Sequence, residues 1–185
     1  MRGLIITFCA PLLFFLFSFS HQKEAVIKED KGDKAIQSVK YPQTVKLHPP
    51  AVHFAVSLPL LALLLEGYYL LRRKKPDAGE FLFILLTSGA VIGAAVTGYI
   101  AHESIENLPI KSEALEVLHN HESLGIYLAG LFSLIALLRF VYFFKPSASL
   151  RGLYLFLLLV GVLGILIQGN HGGSLVYDYG VGVNR

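Results

Sequence analysis

Residues 48–75 read HPPAVHFAVSLPLLALLLEGYYLLRRKK, and this one stretch settles the class of the protein. Two prolines suit a first helical turn, where a missing N–H costs nothing. About 20 mostly apolar residues follow, enough to cross a bilayer as a helix. Four consecutive cations then close the segment, as they do where a membrane helix meets the cytoplasm.

Similar blocks recur along the 185 residues. The chain is 54% hydrophobic and 16% charged, with mean hydropathy +0.59. Spans are expected at about 51–71, 81–101, 122–144 and 151–169. The expected class is an all-α integral membrane protein, a four-helix transmembrane bundle after an N-terminal signal peptide. Residues 1–20 supply that signal: Arg2 gives a positive start, an apolar run follows, and Ser18 and Ser20 precede a cut before His21. An uncleaved extra span is the alternative reading. Residues 21–46 mix six lysines with four acidic residues and few large apolar side chains, so a flexible outer segment is expected there. The membrane domain then occupies 47–183.

Basic residues fix the expected orientation. Arg72, Arg73, Lys74 and Lys75 lie in one link and Lys145 and Arg151 bound another, with Arg139 close enough to snorkel. The link between the second and third spans carries Glu103, Glu106, Glu113 and Glu116 against Lys111 alone. Both mature termini therefore belong outside. Cys9 is the only cysteine, which excludes disulfides, thiolate metal sites and Cys-x-x-Cys-His haem attachment within the chain. The net charge of +3 sits in loops beside spans and gives no argument for nucleic acid.

Six of the seven histidines then gather on the outer side: His48, His53, His102, His119, His121 and His171. Histidine is the commonest metal ligand near neutral pH, and helices bringing several together suggest a site. A lone histidine at this depth is ordinarily a headgroup-level polar residue. His48 and His53 fall on different faces of one helix, and His119 and His121 diverge on another. His53, His121 and His171 are the expected inward groups. Gln168 is placed to bond a ligand histidine, a cofactor or a neighbouring helix. Gly89 with Gly93, and Ala94 with Gly98, are small residues four apart that admit a close neighbour, another helix or a flat macrocycle. Glu66 is about 20 Å along the helix from His53 and is explained by pairing or snorkelling. The third and fourth spans otherwise lack internal carboxylates, which argues against a proton-driven pump or ion channel.

Three motifs together resemble a bacterial membrane family catalogued as domain-of-unknown-function family 2231. They are His48-Pro49-Pro50-Ala51-Val52-His53-Phe54, His121-Glu122-Ser123-Leu124-Gly125-Ile126, and the closing Gly172-Gly173-Ser174-Leu175-Val176-Tyr177 with Gly180-Val181-Gly182-Val183. The family usually has proline directly after His-Phe, where this chain has Ala55 and places Pro59 a turn later. The resemblance implies the four-helix fold and a bacterial inner membrane location. Some members are joined to cytochrome c modules, which associates the family with redox work.

The leading expectation is a b-type haem near the outer face, with His53 and His121 as axial metal ligands and His171 next. His48 and His102 would serve as surrounding or second-haem ligands. Electrons would pass to or from quinone or an outer cytochrome, making the chain a redox carrier or subunit more than a stand-alone enzyme. One competing reading is a non-haem zinc, copper or iron site using these histidines with Glu103 or Glu122. Another is an interaction or assembly subunit whose histidines only line an interface.

Overall fold

The computed structural model describes residues 43–105 and 110–182. The expected signal segment and most of the lysine-rich segment lie outside them. A short 3₁₀ turn, Gln43–Leu47, leads into four helices: α1 His48–Leu71, α2 Ala78–Ile105, α3 Ser112–Phe144 and α4 Ala148–Tyr177. All four are long and apolar enough to cross a membrane.

Local chemistry sets the helix ends. Pro49 and Pro50 occupy the first turn of α1, which continues without interruption through the buried Pro59. It stops where Arg73 takes a left-handed conformation (φ +52°), letting the Lys74 amide donate to the Tyr69 carbonyl at 2.9 Å. Asp77 begins α2 by accepting from the Glu80 amide at 3.0 Å. The Tyr69 hydroxyl, donating from 2.7 Å, and then the same amide hold the Asp77 carboxyl below the usual carboxylate range. Ser147 caps α4 by accepting from the Leu150 amide at 3.2 Å.

Two helices overrun the expected spans. α3 starts at Ser112 and not near 122, so His119 and His121 sit in its third turn. α4 continues to Tyr177 and takes His171 inside it. Gly172 and Gly173 each cost about 1 kcal/mol in a helix, but Leu175 beyond them is buried against Ile105, Ala114 and Leu118. That packing carries the last turns.

Each helix packs on the next and α4 returns to α1, while the backbones of the diagonal pairs stay apart. The result is a square ring with antiparallel neighbours. In every helix the buried positions step by three and four residues. In α1 they are Ala55, Pro59, Ala62, Glu66 and Tyr69, a seam that extends back to His48. The seam of α3 runs through Leu118, Leu128, Phe132, Ile135, Arg139 and Tyr142, and that of α4 through Tyr154, Leu158, Gly161, Ile165 and Leu175. Gly161 lets Phe132 fill the centre, since a Cβ there would stand 2.8 Å from its ring. Leu61, Leu64, Leu86 and Leu137 lie off the seams and are exposed, as lipid-facing side chains should be.

The end bearing the two short links holds a buried polar network, in which Glu80 Oε1, Arg139 Nη1 and Arg151 Nε keep no partner among the described residues. Arg139 was expected to snorkel, but it is 1% exposed and donates through Nε and Nη2 to Glu80. Its Nη2 also reaches the Asp77 carbonyl at 3.2 Å, and its guanidinium lies 5.3 Å from the ring centres of both Phe81 and Tyr142. Glu66, fully buried, accepts from Arg151 at 3.1 Å and from the Tyr154 hydroxyl at 2.5 Å. Glu80 is thus a second buried carboxylate, which the sequence reading left just outside its span. Here it sits in the first turn of α2, drawn inward by Arg139 of the facing helix.

Candidate histidine site

At the opposite end, the seams bring His48, His121 and Gln168 to one level, with Gly98 completing the ring on α2. His48 Nδ1 meets Thr97 Oγ1 at 3.2 Å, and the Thr97 hydroxyl proton is already given to the Ala94 carbonyl at 3.0 Å. The hydroxyl can therefore only accept from His48, which puts the proton on Nδ1 and leaves Nε2 with a lone pair. Gly98 makes room for this ring, because a Cβ there would stand 2.9 Å from His48 Cε1. The His121 imidazole lies across from it, ring centres 6.2 Å apart and planes at 81°. Gln168 fixes the His121 turn by donating to its carbonyl at 2.8 Å, and Gly172 abuts the His121 ring edge.

His102 and His171 flank this pair. His102 is 7% exposed, and its Nδ1 is held by the Glu122 carboxylate. Its ring centre is 5.3 Å from that of His119, which is exposed. His171 is half-buried and directly precedes Gly172, which abuts the His121 ring. Four polar atoms at this level are buried with no partner among the described residues: His102 Nε2, His121 Nδ1, Gln168 Oε1 and His171 Nδ1. Buried polar atoms are ordinarily bonded, so a ligand with polar or metal-ion character gains most here.

His53 does not join them. It is exposed on the outside of α1, and its Nδ1 lies 2.7 Å from the Pro49 carbonyl one turn back. Five residues along a helix turn the side chain by about 140°, so one of His48 and His53 must face away. Because α1 begins at His48 itself and not after it, His48 is on the seam. The step from His48 to Ala55 and Ala62, seven residues each, is the sequence signal that would have chosen it.

A cavity of about 530 Å³ opens beneath these groups, with walls from all four helices. His48, His102, His121, Glu122 and Gln168 are among its polar members, with Lys46 and Tyr99, and the rest of the wall is mainly apolar, including Ala94, Ala101 and Gly125. Of the two small-residue pairs, only Ala94 with Gly98 faces inward. Gly89 and Gly93 have open space where a Cβ would go. Over the mouth, residues 178–182 turn back so that the Val181 amide bonds the Leu175 carbonyl at 2.8 Å. Val181 is buried there with Val45 of the 3₁₀ turn packed against its cluster. Gly180 (φ +68°) and Gly182 (φ +82°) permit that reversal.

Residues 44–185 match the family described as a predicted membrane protein, DUF2231. The chain belongs to that family. No curated protein and no solved structure matches it. The DUF2231 match spans the 3₁₀ turn, the four helices and the returning tail, so the whole histidine end lies within the family's domain.

Proposed function

We propose that the chain is a membrane-bound b-type haem electron-transfer protein, with His48 and His121 as the axial ligands. The observation that carries this reading is the pair of imidazoles facing each other from different helices. Their ring centres are 6.2 Å apart, a separation that would leave room for one metal ion held by a nitrogen of each ring. A porphyrin supplies the remaining four ligands, which suits a site where two histidines face each other. Among the described residues, no three histidine, cysteine or acidic side chains converge as a metal site. Small residues such as Ala94 and Gly125 in an apolar wall are compatible with a flat macrocycle.

Bound there, haem would supply one-electron exchange. The chain's own residues orient and shelter it: Thr97 fixes the His48 tautomer, Gln168 anchors the His121 backbone, and the returned tail covers the mouth. His102 and His171 present nitrogens for polar substituents or water. By the positive-inside rule the basic links face the cytoplasm of a bacterial inner membrane, which puts the histidine end and the mature termini on the periplasmic side. Exchange is then with membrane quinone or an outer cytochrome.

The test is a spectrum of the full-length protein purified in detergent after expression with haem supply. A Soret band with sharp reduced alpha and beta bands, lost in both His48→Ala and His121→Ala and kept in His53→Ala, is the expected result. A colourless protein with stoichiometric zinc, copper or iron moves the reading to a non-haem centre. His102, oriented by Glu122 as metal-binding histidines commonly are, is then the best placed ligand. Absence of both leaves an assembly subunit.

A further inference from the structure

The basic end carries a feature independent of the haem reading. A second cavity, of about 620 Å³, lies in the crook between the end of α3 and the start of α4. Its floor is Val141, Leu150 and Leu153, and its rim carries Lys145, Ser147 and Ser149. Val141 and Leu153 are 39% and 47% exposed, so the floor runs on into the hydrocarbon-facing surface of the bundle. Ser147 is committed to its helix cap. The side chains of Lys145 and Ser149 engage no partner among the described residues.

Lys145 is the cation at this rim, and the charge of the whole end is one-sided. The two links, residues 72–77 and 145–147, hold Arg72, Arg73, Lys74, Lys75 and Lys145 against Asp77, five cations less one acid. Asp77 is already engaged by Tyr69 and the Glu80 amide, and none of the five cations takes part in an ion pair among the described residues. Arg151 Nη1 donates to the Lys74 carbonyl at 3.2 Å, which ties the first link to the first turn of α4.

We infer that this crook binds an anionic phospholipid, with the headgroup phosphate on Lys145 and Ser149 and an acyl chain along Val141, Leu150 and Leu153. A free phosphate would gain nothing from the apolar floor. A lipid without net charge would gain little from the cationic rim. An anionic lipid satisfies both, and the bilayer brings it to this depth at high local concentration.

The test uses the delipidated full-length protein in neutral detergent, titrated with phosphatidylglycerol or phosphatidylcholine of identical chains. Bound lipid is counted by native mass spectrometry. Phosphatidylglycerol should bind at least about tenfold more tightly. That preference should fall to within about twofold in Lys145→Ala/Ser149→Ala and persist in Lys75→Ala, all exposed positions whose replacement leaves the fold intact. Equal binding of the two lipids to the unaltered protein overturns the inference, as does an unchanged preference in the double variant. Displacement of the lipid by excess inorganic phosphate overturns it in favour of a free-anion site. Because no readout involves a chromophore, the outcome is separate from that of the haem experiment.

Discussion

Glu80 and Arg139 at the basic end, and His48 and His121 at the other, are polar pairs at corresponding positions on the helix seams, yet they are treated in opposite ways. The first two are almost wholly buried and joined directly, with Phe81 and Tyr142 closing around the guanidinium, though Glu80 Oε1 and Arg139 Nη1 keep no partner among the described residues. The second two face each other without a hydrogen bond between them, next to a 530 Å³ cavity and four unpartnered polar atoms. Polar groups inside a membrane protein are costly and need a reason. At the basic end the reason is mutual: opposite charges cancel and fix which helix meets which. At the histidine end His48 and His121 have no such mutual pairing, and this supports the proposal that a ligand binds there.

The sharpest way to break this comparison is at Arg139. Arg139→Ala leaves Glu80 buried without its counter-ion, and a cost of about 3–5 kcal/mol is expected, read as a lowered denaturation midpoint in mixed micelles. Arg139→Met with Glu80→Gln removes both charges and should recover much of that loss. A double variant as unstable as the single one would show that the pair does not act as a unit. Neither change should alter ligand binding at the far end beyond what lost stability explains.

Next in size is Gly161→Ala, which forces a Cβ to within 2.8 Å of the fully buried Phe132 ring. Overpacking of this kind costs about 1–3 kcal/mol. Gly89→Ala is the contrast, since nothing lies within 4 Å of its Cβ. There the gain in helix propensity of up to about 1 kcal/mol should appear as a small rise in midpoint.

Gly98→Ala sits between these and discriminates the two ends. Its Cβ meets His48 Cε1 at 2.9 Å, so the ring must move, while the helix itself gains propensity. The expected outcome is a midpoint within about 1 kcal/mol of the unaltered protein with cofactor occupancy sharply reduced. Full occupancy would mean that the His48 position is not part of the site.

These positions also mark what the sequence made legible. The four-helix membrane bundle followed from the length of the apolar blocks, because lipid permits few other spanning structures. Which side chains turn inward did not, since an apolar helix in a membrane has no polar face to give its orientation away. The chain instead carries a seam of small residues, aromatics and charges at steps of three and four, legible only once all four helices are read together. Gly89 and Gly93 were as plausible as Ala94 and Gly98 until the seam through Ala94 separated them. Arg139 and Glu80 were missed for a related reason: each lies near the end of its apolar run, where snorkelling is the ordinary expectation, and only the facing helix reveals the partner.

His53 provides the smallest expected effect and a direct check on that reasoning. Composition and motif make it equal to His48, and its place inside the first turn made it the natural first choice as ligand. Yet its imidazole bonds a carbonyl of its own helix and stands outside the ring of seams. His53→Ala loses one exposed intrahelical hydrogen bond, so the midpoint should move by no more than about 0.5 kcal/mol, with the spectrum or metal content unchanged. His48→Ala, five residues earlier, should abolish that signal. If the two variants exchanged roles, α1 would have to be rotated by about 140°, and Ala55, Pro59, Ala62 and Glu66 would all leave the core with it.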